Sequence, residues 1–263
     1  MASIVASHVA YSDEARFNYG RYRGLALVGA RVGDALALSR ALRDLLDASG
    51  MEECKWEKVR SARARFAAAK LLRWAVERAI GGEIMVDALT WDAGDERAAR
   101  AAVPHLANLR RMYAHLLGDL LPPRHPGAYW IVHPDEQHAL RWETLTRALP
   151  HVARIEPHAS SGEPLIQLAD LFAGLAVYSR SGYTAYDRWL CLPLADRPPS
   201  AAPHTLPDGA AGRFSASDRE RCALLDDFYT DCKLRGLRVS LRTRQGLRTY
   251  GPHHPICFWW HGD

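Results

Sequence analysis

The order of apolar patterns along the chain constrains the fold more than any other feature of the sequence. Two short segments that predict strands, residues 4–13 and 22–30, follow one another and are joined by a polar loop. Three further strand patterns, at residues 83–91, 128–132 and 152–158, are separated by segments of helical periodicity. An antiparallel pair followed by alternating helices and strands is typical of an α/β sheet covered on both faces.

Helical patterns fill the intervals between the predicted strands. They cover residues 33–46, 61–80, 95–121, 138–149, 163–178 and 217–234. The first two form a helical insertion after the second strand. The third is expected to stop before Pro122, because a proline inside a helix removes a hydrogen bond. Residues 183–212 are rich in Pro and Gly and are predicted to be mostly irregular, and a strand-like tail runs to Trp260.

The chain has no linker that divides it cleanly. We therefore predict one domain, with an α/β core at residues 1–182 and a C-terminal extension at residues 183–263 packed on it. Of the 263 residues, 48% are hydrophobic and 24% are charged. A disordered or collagen-like chain has a different composition, so both classes are excluded.

Targeting and redox features favour a cytoplasmic protein. No apolar run reaches the ~18–20 residues of a membrane-spanning helix, and the N-terminus lacks a basic segment followed by an apolar one. The five cysteines are scattered without a Cys-x-x-Cys pair, so neither a disulfide framework nor a zinc knuckle is indicated. We expect reduced thiols and no membrane partner.

The charge is distributed unevenly along the chain, although the net charge is only +4. Residues 55–78 carry eight basic side chains, and residues 233–248 carry six with no acidic one. Because phosphate contacts supply much of the affinity for nucleic acid, two such segments favour a nucleic-acid partner. Ordinary solvated faces would have the same composition. Lys55, Arg242 and Arg244 are the candidate substrate-binding residues of these segments.

Carboxylates follow two of the predicted strands, and another lies within an apolar helix. Asp13 and Glu14 end the first strand, and Asp135 and Glu136 come directly after the fourth. Asp170 is flanked by leucine, alanine and phenylalanine in the helix of residues 163–178. Burying an unpaired charge costs several kcal/mol, so Asp170 must have a partner.

Oxygen ligands grouped at one edge of a sheet suit Mg²⁺ or Mn²⁺. Two such ions about 3.5–4 Å apart activate water and stabilise the leaving oxygen of a phosphodiester. Each carboxylate taken alone has a simpler explanation, as a turn, a helix cap or a partner of an arginine. Their joint arrangement is what favours a metal site.

Several segments resemble an uncharacterised bacterial family called domain of unknown function 3800. The most specific are Tyr-Ser-Asp-Glu-Ala at residues 11–15 and the apolar Gln-Leu-Ala-Asp stretch within residues 160–174. Weaker similarity at residues 53–56, 84–88 and 131–136 extends the likeness over most of the chain. The resemblance implies a ribonuclease H-like fold with a mixed five-stranded sheet flanked by helices, and with it metal-dependent nuclease chemistry.

The resemblance also implies roles for the carboxylates. Asp13, Asp135 and Asp170 would hold the metal ion, from the first strand, the fourth strand and the helix respectively. Glu14 and Glu136 would be auxiliary ligands or bases that orient water. The candidate catalytic residues are therefore Asp13, Glu14, Asp135 and Asp170, and the candidate metal ligands are Asp13, Asp135, Asp170 and Glu136.

Other polar residues have candidate roles beside these acids. Gln167 lies one helical turn before Asp170 and is expected to orient substrate or water. A lysine near paired carboxylates, such as Lys55, neutralises charge on a phosphate. Asp87 is a second-choice ligand. His133 and His138 flank the fourth-strand acids as candidate proton donors.

The sequence departs from the family pattern at two positions. One departure removes an acid from the expected site, so more than one function is considered. Ala15 replaces a serine, and Ala159 stands where an aspartate is common. The favoured function is a metal-dependent nuclease or phosphodiesterase that acts on nucleic acid. The alternatives are an inactive nucleic-acid-binding or regulatory module and a hydrolase of small nucleotides. A protein partner and a homo-oligomer are left open.

Overall fold

A six-stranded sheet runs through the centre of the protein. The computed structural model describes residues 5–16, 18–94, 105–136, 140–193, 214–241, 244–251 and 253–262. The strand order is β5-β4-β1-β2-β3-β8, and β6 pairs with β7 in a small separate sheet. The strands are β1 (His8–Ala15), β2 (Tyr22–Arg31), β3 (Ile84–Asp92), β4 (Trp130–Pro134), β5 (Val152–Ile155), β6 (Val239–Ser240), β7 (Arg248–Thr249) and β8 (Ile256–His261).

The strand directions are mixed. β1, β2 and β3 form an antiparallel meander. β4 and β5 continue the sheet parallel to β1, and β8 pairs parallel with β3 at the other edge. The predicted α/β class, a mixed sheet flanked by helices, is confirmed, and its ribonuclease H-like character stays a prediction. The sheet has six strands and not five, because the apolar tail Ile256–His261 pairs with β3.

Helices cover both faces of the sheet. They are α1 (Ala35–Ala48), α2 (Ala62–Ile80), α3 (His105–His115), α4 (Leu121–Arg124), α5 (Trp142–Ala148), α6 (Pro164–Ser181), α7 (Tyr183–Leu190) and α8 (Ala216–Leu234), with a 3₁₀ turn at Trp56–Lys58. One hydrophobic core lies under α1, α2, α6 and α8, and a second lies under α3, α4 and α5. Neighbouring residues of β3 point into different cores, Val86 into the first and Met85 into the second, as strand geometry requires.

Helix α6 packs directly on the meander. Gly24 of β2 makes this close approach possible, since a Cβ there would lie 2.6 Å from Val177 Cγ2 and 3.2 Å from the carbonyl oxygen of Ala173. The helix begins at Pro164, which is favoured in a first turn, and the side chain of Glu163 accepts a hydrogen bond from the Leu165 amide. α6 is therefore fixed against β1 and β2.

Three element predictions differ from the structure. β1 extends to Ala15, because Glu14 and Ala15 still pair with Leu25 and Gly24 of β2. The helical segment continues past Pro122 through a π-helical stretch at Leu116–Leu120 into α4, where the prolines occupy a first turn that does not need their amides. Tyr183–Leu190 is helical and not irregular.

The C-terminal elements pack on the rest of the fold. Glu220 of α8 forms a buried ion pair with Arg65 of α2, with 2.7 Å between the carboxylate oxygen and Nε. The division into a core at residues 1–182 and an extension at 183–263 stays a prediction. Parts of the segments predicted as helices at residues 95–121 and 138–149, including His138, lie outside the described residues.

Two expectations about the whole chain can be compared with the structure. Among the described helices, none has the length and hydropathy needed to cross a bilayer. All five cysteines are free, as their scattered positions predicted.

Candidate active site

Asp13 and Asp135 are neighbours across two parallel strands. β1 and β4 pair from His8 with Trp130 to Ser12 with Pro134, so the next residue in each strand is a carboxylate. The Asp135 amide donates to the carbonyl oxygen of Ser12 at 3.0 Å, which extends the pairing by one step. Adjacent strands lie about 4.8 Å apart, so this register brings the two acids together.

Asp170 reaches the same site from helix α6. Its Oδ2 accepts a hydrogen bond from the Trp56 amide at 2.5 Å. The Trp56 ring lies against α6 at Gly174, where a Cβ would be 2.0 Å from the ring. Gly174 therefore allows the 3₁₀ turn Trp56–Lys58 to approach the helix closely enough for this hydrogen bond.

Burial and neighbouring carboxylates raise the pKa of Asp13 and of Asp170. Burial raises the pKa of Asp13 well above its ordinary value, and the charges of Asp170, Glu14 and Asp135 raise it further. Burial also raises the pKa of Asp170, to about 7, against the lowering effects of the Trp56 amide and Lys55. Groups that repel each other in this way are stabilised by a shared cation.

Asp13 has an unused ligand atom. Its Oδ1 accepts a hydrogen bond from the Glu14 amide at 2.7 Å. Its Oδ2 is buried and accepts no hydrogen bond from any residue that the structure describes. A buried polar atom without a partner is costly, and a divalent cation held by carboxylate oxygens would satisfy it. The donor set of Asp13, Asp135 and Asp170 thus fits Mg²⁺ or Mn²⁺.

Asp135 is held rigidly by its surroundings. Oδ1 accepts hydrogen bonds from the amides of Glu136 (2.9 Å) and Ser160 (3.3 Å). Oδ2 lies 3.3 Å from Lys55 Nζ. Ala159, at the position where the family pattern has an acid, precedes Ser160 and is exposed.

Lys55 lies beside the carboxylates of Asp13, Asp135 and Asp170. Burial lowers the pKa of Lys55, but the charges of Asp13, Asp135 and Asp170 outweigh this effect, and the net shift is upward. The ammonium group therefore stays charged at neutral pH. It also lies 3.9 Å from Glu53.

The side chains of Glu14 and Glu136 have different surroundings from those of the aspartates that precede them. Glu14 accepts a hydrogen bond from the Tyr113 hydroxyl of α3, on the opposite face of the sheet from Asp13. This follows from the two-residue period of a strand. Glu14 is nevertheless among the residues that line the cleft. Glu136 is exposed, directly after Asp135.

Gln167 is buried under the site and contacts two loops. Its Oε1 accepts from the Cys54 amide and its Nε2 donates to the Ser160 carbonyl oxygen, both at 2.9 Å. These contacts fix the segment before Lys55 and the amide that binds Asp135. In the structure Gln167 therefore positions the two loops that surround Asp135.

A cleft of about 290 Å³ opens above the carboxylates. Asp13, Asp170 and Lys55 lie on its walls together with three arginines that sequence reasoning did not select, Arg16, Arg60 and Arg221. The other lining residues are Glu14, Ala15, Asn18, Tyr19, Trp56, Glu57, Gly174 and Val177.

The three arginines come from separate parts of the chain. Arg16 follows β1 with a left-handed backbone (φ 56°), Arg60 follows the 3₁₀ turn, and Arg221 lies on α8. Burial lowers the pKa of Arg221, and the charges of Arg16 and Arg60 lower it further, which shows that they lie near one another. Arg221 also donates to the Trp56 carbonyl oxygen at 3.2 Å.

Sequence signals for these arginines are weak. Arg60 belongs to the first basic segment, whereas Arg221 lies in a helix of mixed charge that reads as a solvated face. Of the second basic segment, Arg242 lies outside the described residues, and Arg244 lies in an exposed turn between β6 and β7. Arg244 is not among the described residues that line the cleft.

Asp87 lies on β3, on the face of the sheet opposite the cleft. Its Oδ2 is 3.1 Å from Arg124 Nε, and Trp259 Nε1 donates to its Oδ1 at 2.7 Å. The partners of Asp87 are therefore a buried arginine and an indole. His133 lies on β4, with its Nδ1 3.1 Å from the Glu156 carbonyl oxygen.

Comparison with known proteins finds two curated relatives of similar length. The chain is 31% identical over 269 residues to the uncharacterized protein ORF2′ of Methanothermobacter thermautotrophicus, which covers 95% of this chain and 92% of the relative. It is 28% identical, with the same coverage, to the uncharacterized protein ORF2 of that organism. Both relatives are archaeal, whereas the resemblance drawn from the sequence is to a bacterial family.

No family model matches the chain, so membership of domain of unknown function 3800 stays a prediction. Among solved structures, a chain of the PCNA:RNase HII complex from Archaeoglobus fulgidus is similar at 18% identity. The match covers 92% of this chain and 97% of that chain, with a TM-score of 0.42. A similarity this low carries no weight for fold or activity.

Proposed function

We propose that this chain, which belongs to the family of the uncharacterised archaeal proteins ORF2′ and ORF2, is a metal-dependent phosphodiesterase that acts on nucleic acid. One observation carries the proposal: Asp13 of β1 and Asp170 of α6 line one cleft, Asp135 lies beside Asp13 at the end of β4, and the buried Oδ2 of Asp13 has no partner among the described residues. Asp13, Asp135 and Asp170 would hold the cation, and Glu136 is exposed beside them as an auxiliary ligand. When bound, Mg²⁺ or Mn²⁺ would supply an activated water and neutralise charge on a phosphate.

The protein's own residues would prepare the site for this chemistry. The hydrogen bonds of Asp135 and Asp170 to backbone amides fix both carboxylates before substrate arrives. Rigid placement of charged groups is the main source of catalysis in such reactions. Lys55, already within 3.3 Å of Asp135, would donate hydrogen bonds to a phosphate oxygen.

The arginines would hold the phosphate backbone. Arg16, Arg60 and Arg221 line the cleft, and the charges of Arg16 and Arg60 lower the pKa of Arg221, so an anion bound beside Arg221 would offset that effect. Arg221 is oriented by the Trp56 carbonyl oxygen and lies over the Trp56 ring, with 5.3 Å between the guanidinium carbon and the ring centroid. Arginine binds phosphate through paired donors, which favours this role.

The size of the cleft favours a second candidate, hydrolysis of a small nucleotide. At about 290 Å³ it is close to the lower end of the range for small-molecule pockets. A single nucleotide would fit within it, whereas a polynucleotide would extend past the rim. Weak affinity for polynucleotides together with turnover of mononucleotides would favour this second candidate.

The test combines calorimetric titration of Mn²⁺ with a cleavage assay on single- and double-stranded DNA and RNA. We expect the wild type to bind Mn²⁺ and to cleave, and Asp170→Asn to lose both while keeping its fold. Several kcal/mol of metal stabilisation correspond to a loss of about 1,000-fold in rate. The matched control is Asp119→Asn, because Asp119 is 71% exposed and is not among the residues that line the cleft.

Two results would overturn the proposal. Absence of Mn²⁺ and Mg²⁺ binding to the wild type would leave Asp170 as a structural acceptor for the Trp56 amide. A correctly folded Asp170→Asn variant with full activity would remove the carboxylate from the chemistry. Metal binding without cleavage of any substrate would favour the inactive binding module.

A further inference from the structure

We propose a second metal site, for a zinc-class cation, formed by His133, Glu156 and His158 at the β4–β5 edge of the sheet. Each residue offers one ligand atom, and these atoms all lie within 4.8 Å of one another. His133 and Glu156 are half-buried and His158 is exposed. The site uses none of the three aspartates proposed to hold Mg²⁺ or Mn²⁺, so it goes beyond the proposed function.

Backbone hydrogen bonds hold the segments that carry these ligands. The Glu156 amide donates to the Val132 carbonyl oxygen at 2.8 Å, and the His158 amide donates to that of Pro134 at 2.9 Å. Glu156 and His158 are two residues apart in a segment paired with β4, so their side chains lie on the same face. The strands therefore bring the three ligands together before any cation binds.

The tautomer of His133 is suited to metal binding. Its Nδ1 lies 3.1 Å from the Glu156 carbonyl oxygen, which can only accept, so Nδ1 carries the proton. The lone pair is then on Nε2 and is free to ligate. A histidine that ligates a metal almost always donates its other ring N–H to a carbonyl or carboxylate, as here.

The remaining two ligands are accessible and in range. The His158 ring centroid is 4.1 Å from that of His133. Glu156 Oε1 is 3.2 Å from Arg154 Nε, but both side chains are about half exposed, so this ion pair is weak and competes little with a cation. Small side-chain rotations would close the ligand set to bonding distance.

The ligand chemistry selects a different ion from the aspartate cluster. Two imidazoles and one carboxylate suit Zn²⁺, Co²⁺ or Ni²⁺, whereas carboxylates alone suit Mg²⁺ and Mn²⁺. Three protein ligands leave one position of a tetrahedral site for water. Bound to β4 and to the chain after β5, the cation would also fix the edge strand of the sheet and stabilise the folded state.

The experiment is calorimetric titration of Zn²⁺ into the metal-stripped protein, with Co²⁺ absorption in the visible region as a second probe. We expect one Zn²⁺ per chain in the wild type, loss of that binding in His158→Ala and Glu156→Ala, and retention in Asp170→Asn. His253→Ala is the matched control, because His253 is an exposed histidine elsewhere in the chain. We also expect Zn²⁺ to raise the Tm of the wild type but not that of His158→Ala.

The outcomes separate this site from the phosphodiesterase proposal. No stoichiometric Zn²⁺ binding, or binding unchanged in a folded His158→Ala variant, would overturn the zinc site. Binding lost in Asp170→Asn would also overturn it, since the ion would then occupy the aspartate cluster. Failure to cleave nucleic acid would count against the proposed function and leave the zinc site intact.

Discussion

Two buried acidic sites in the same sheet are stabilised in different ways. Asp87 on β3 is fully buried, and its partners are Arg124 and the Trp259 indole. Asp13 on β1 is almost as buried, but its surroundings include Asp170, Glu14 and Asp135. Burial raises the pKa of both aspartates, yet Arg124 and Trp259 lower that of Asp87 while the neighbouring acids raise that of Asp13.

The difference separates a structural carboxylate, Asp87, from Asp13, which we propose to be a metal ligand. The protein itself neutralises Asp87, so its charge contributes to the fold. The aspartate cluster is left with excess negative charge beside Lys55, which is the arrangement that a divalent cation completes. Perturbed groups of this kind cluster at functional sites, although ion-pair networks perturb pKa values too.

The largest effect on stability is expected from Asp87→Ala. The substitution leaves Arg124 buried without its charge partner, and breaking a buried pair in this way costs about 3–5 kcal/mol. Chemical denaturation of the metal-free protein would measure the loss. Mn²⁺ affinity of the folded protein should be unchanged. A loss below about 1 kcal/mol would show that the two aspartates are not as different as the contacts indicate.

A loss of stability of similar size is expected from Gln167→Ala. The Cys54 amide and the Ser160 carbonyl oxygen would lose their buried partner, at about 1–3 kcal/mol for each group left unpaired. Because both loops position groups around Asp135, Mn²⁺ affinity should also fall, by about 10- to 100-fold. Calorimetry on the folded variant measures this fall. Unchanged Mn²⁺ affinity with reduced substrate affinity would instead favour direct contact with substrate.

The raised pKa of Asp170 should make the stability of the protein depend on pH. Folding raises the pKa of Asp170 from its ordinary value of 3.8 to about 7, so the folded state binds more protons than the unfolded state between these values. The stability contribution is complete below about pH 4 and is lost as pH rises to about 7. Metal-free protein should thus lose stability over this window, and Asp170→Asn should lose less. Thermal denaturation at pH 5 and pH 8 measures the difference.

Metal should reverse the same trend. At pH 8, Mg²⁺ or Mn²⁺ should raise the Tm of the wild type, because a cation that binds only the folded state stabilises it. It should not raise the Tm of Asp170→Asn. An equal rise in both proteins would place the metal outside the cluster.

The smallest effect is expected from the arginines of the cleft. Arg60→Ala and Arg221→Ala should each weaken nucleic-acid binding and reduce the slope of log affinity against log salt by about 0.9 for B-DNA, as expected for one lost phosphate contact. Arg78→Ala is the control, since Arg78 pairs with Glu83 and does not line the cleft. Equal slopes for all variants would move the phosphate path away from this cleft.

Much of the fold was predictable because its signals are local. The apolar period of each segment predicted β2 within one residue and also predicted α2. In the structure α2 is capped by Ser61, whose side chain accepts a hydrogen bond from the Ala64 amide. The end of β1 was not predictable. Glu14 and Ala15 look like loop residues in the sequence, but pairing with β2 keeps them in the strand.

The candidate site was predictable in part for a related reason. A carboxylate at a strand end or within an apolar helix is visible in the sequence, so Asp13, Asp135 and Asp170 could be selected. The register of β1 and β4 brings Asp13 and Asp135 together. That the three aspartates hold a metal ion stays a prediction. The arginines could not be selected, because Arg221 reaches the cleft from a helix 165 residues after Trp56.

The sequence alone determined the alternation of strands and helices, the placement of acids at strand ends and the Asp170 helix, since each depends on residues close together in the chain. Tertiary structure decided which of those acids are neutralised. It paired Asp87 with Arg124, turned Glu14 toward Tyr113 and brought His133 to Glu156 and His158. The physical reason is that a charge is stabilised by whatever lies within a few ångströms of it, and strand register and helix packing set those neighbours across long separations in sequence.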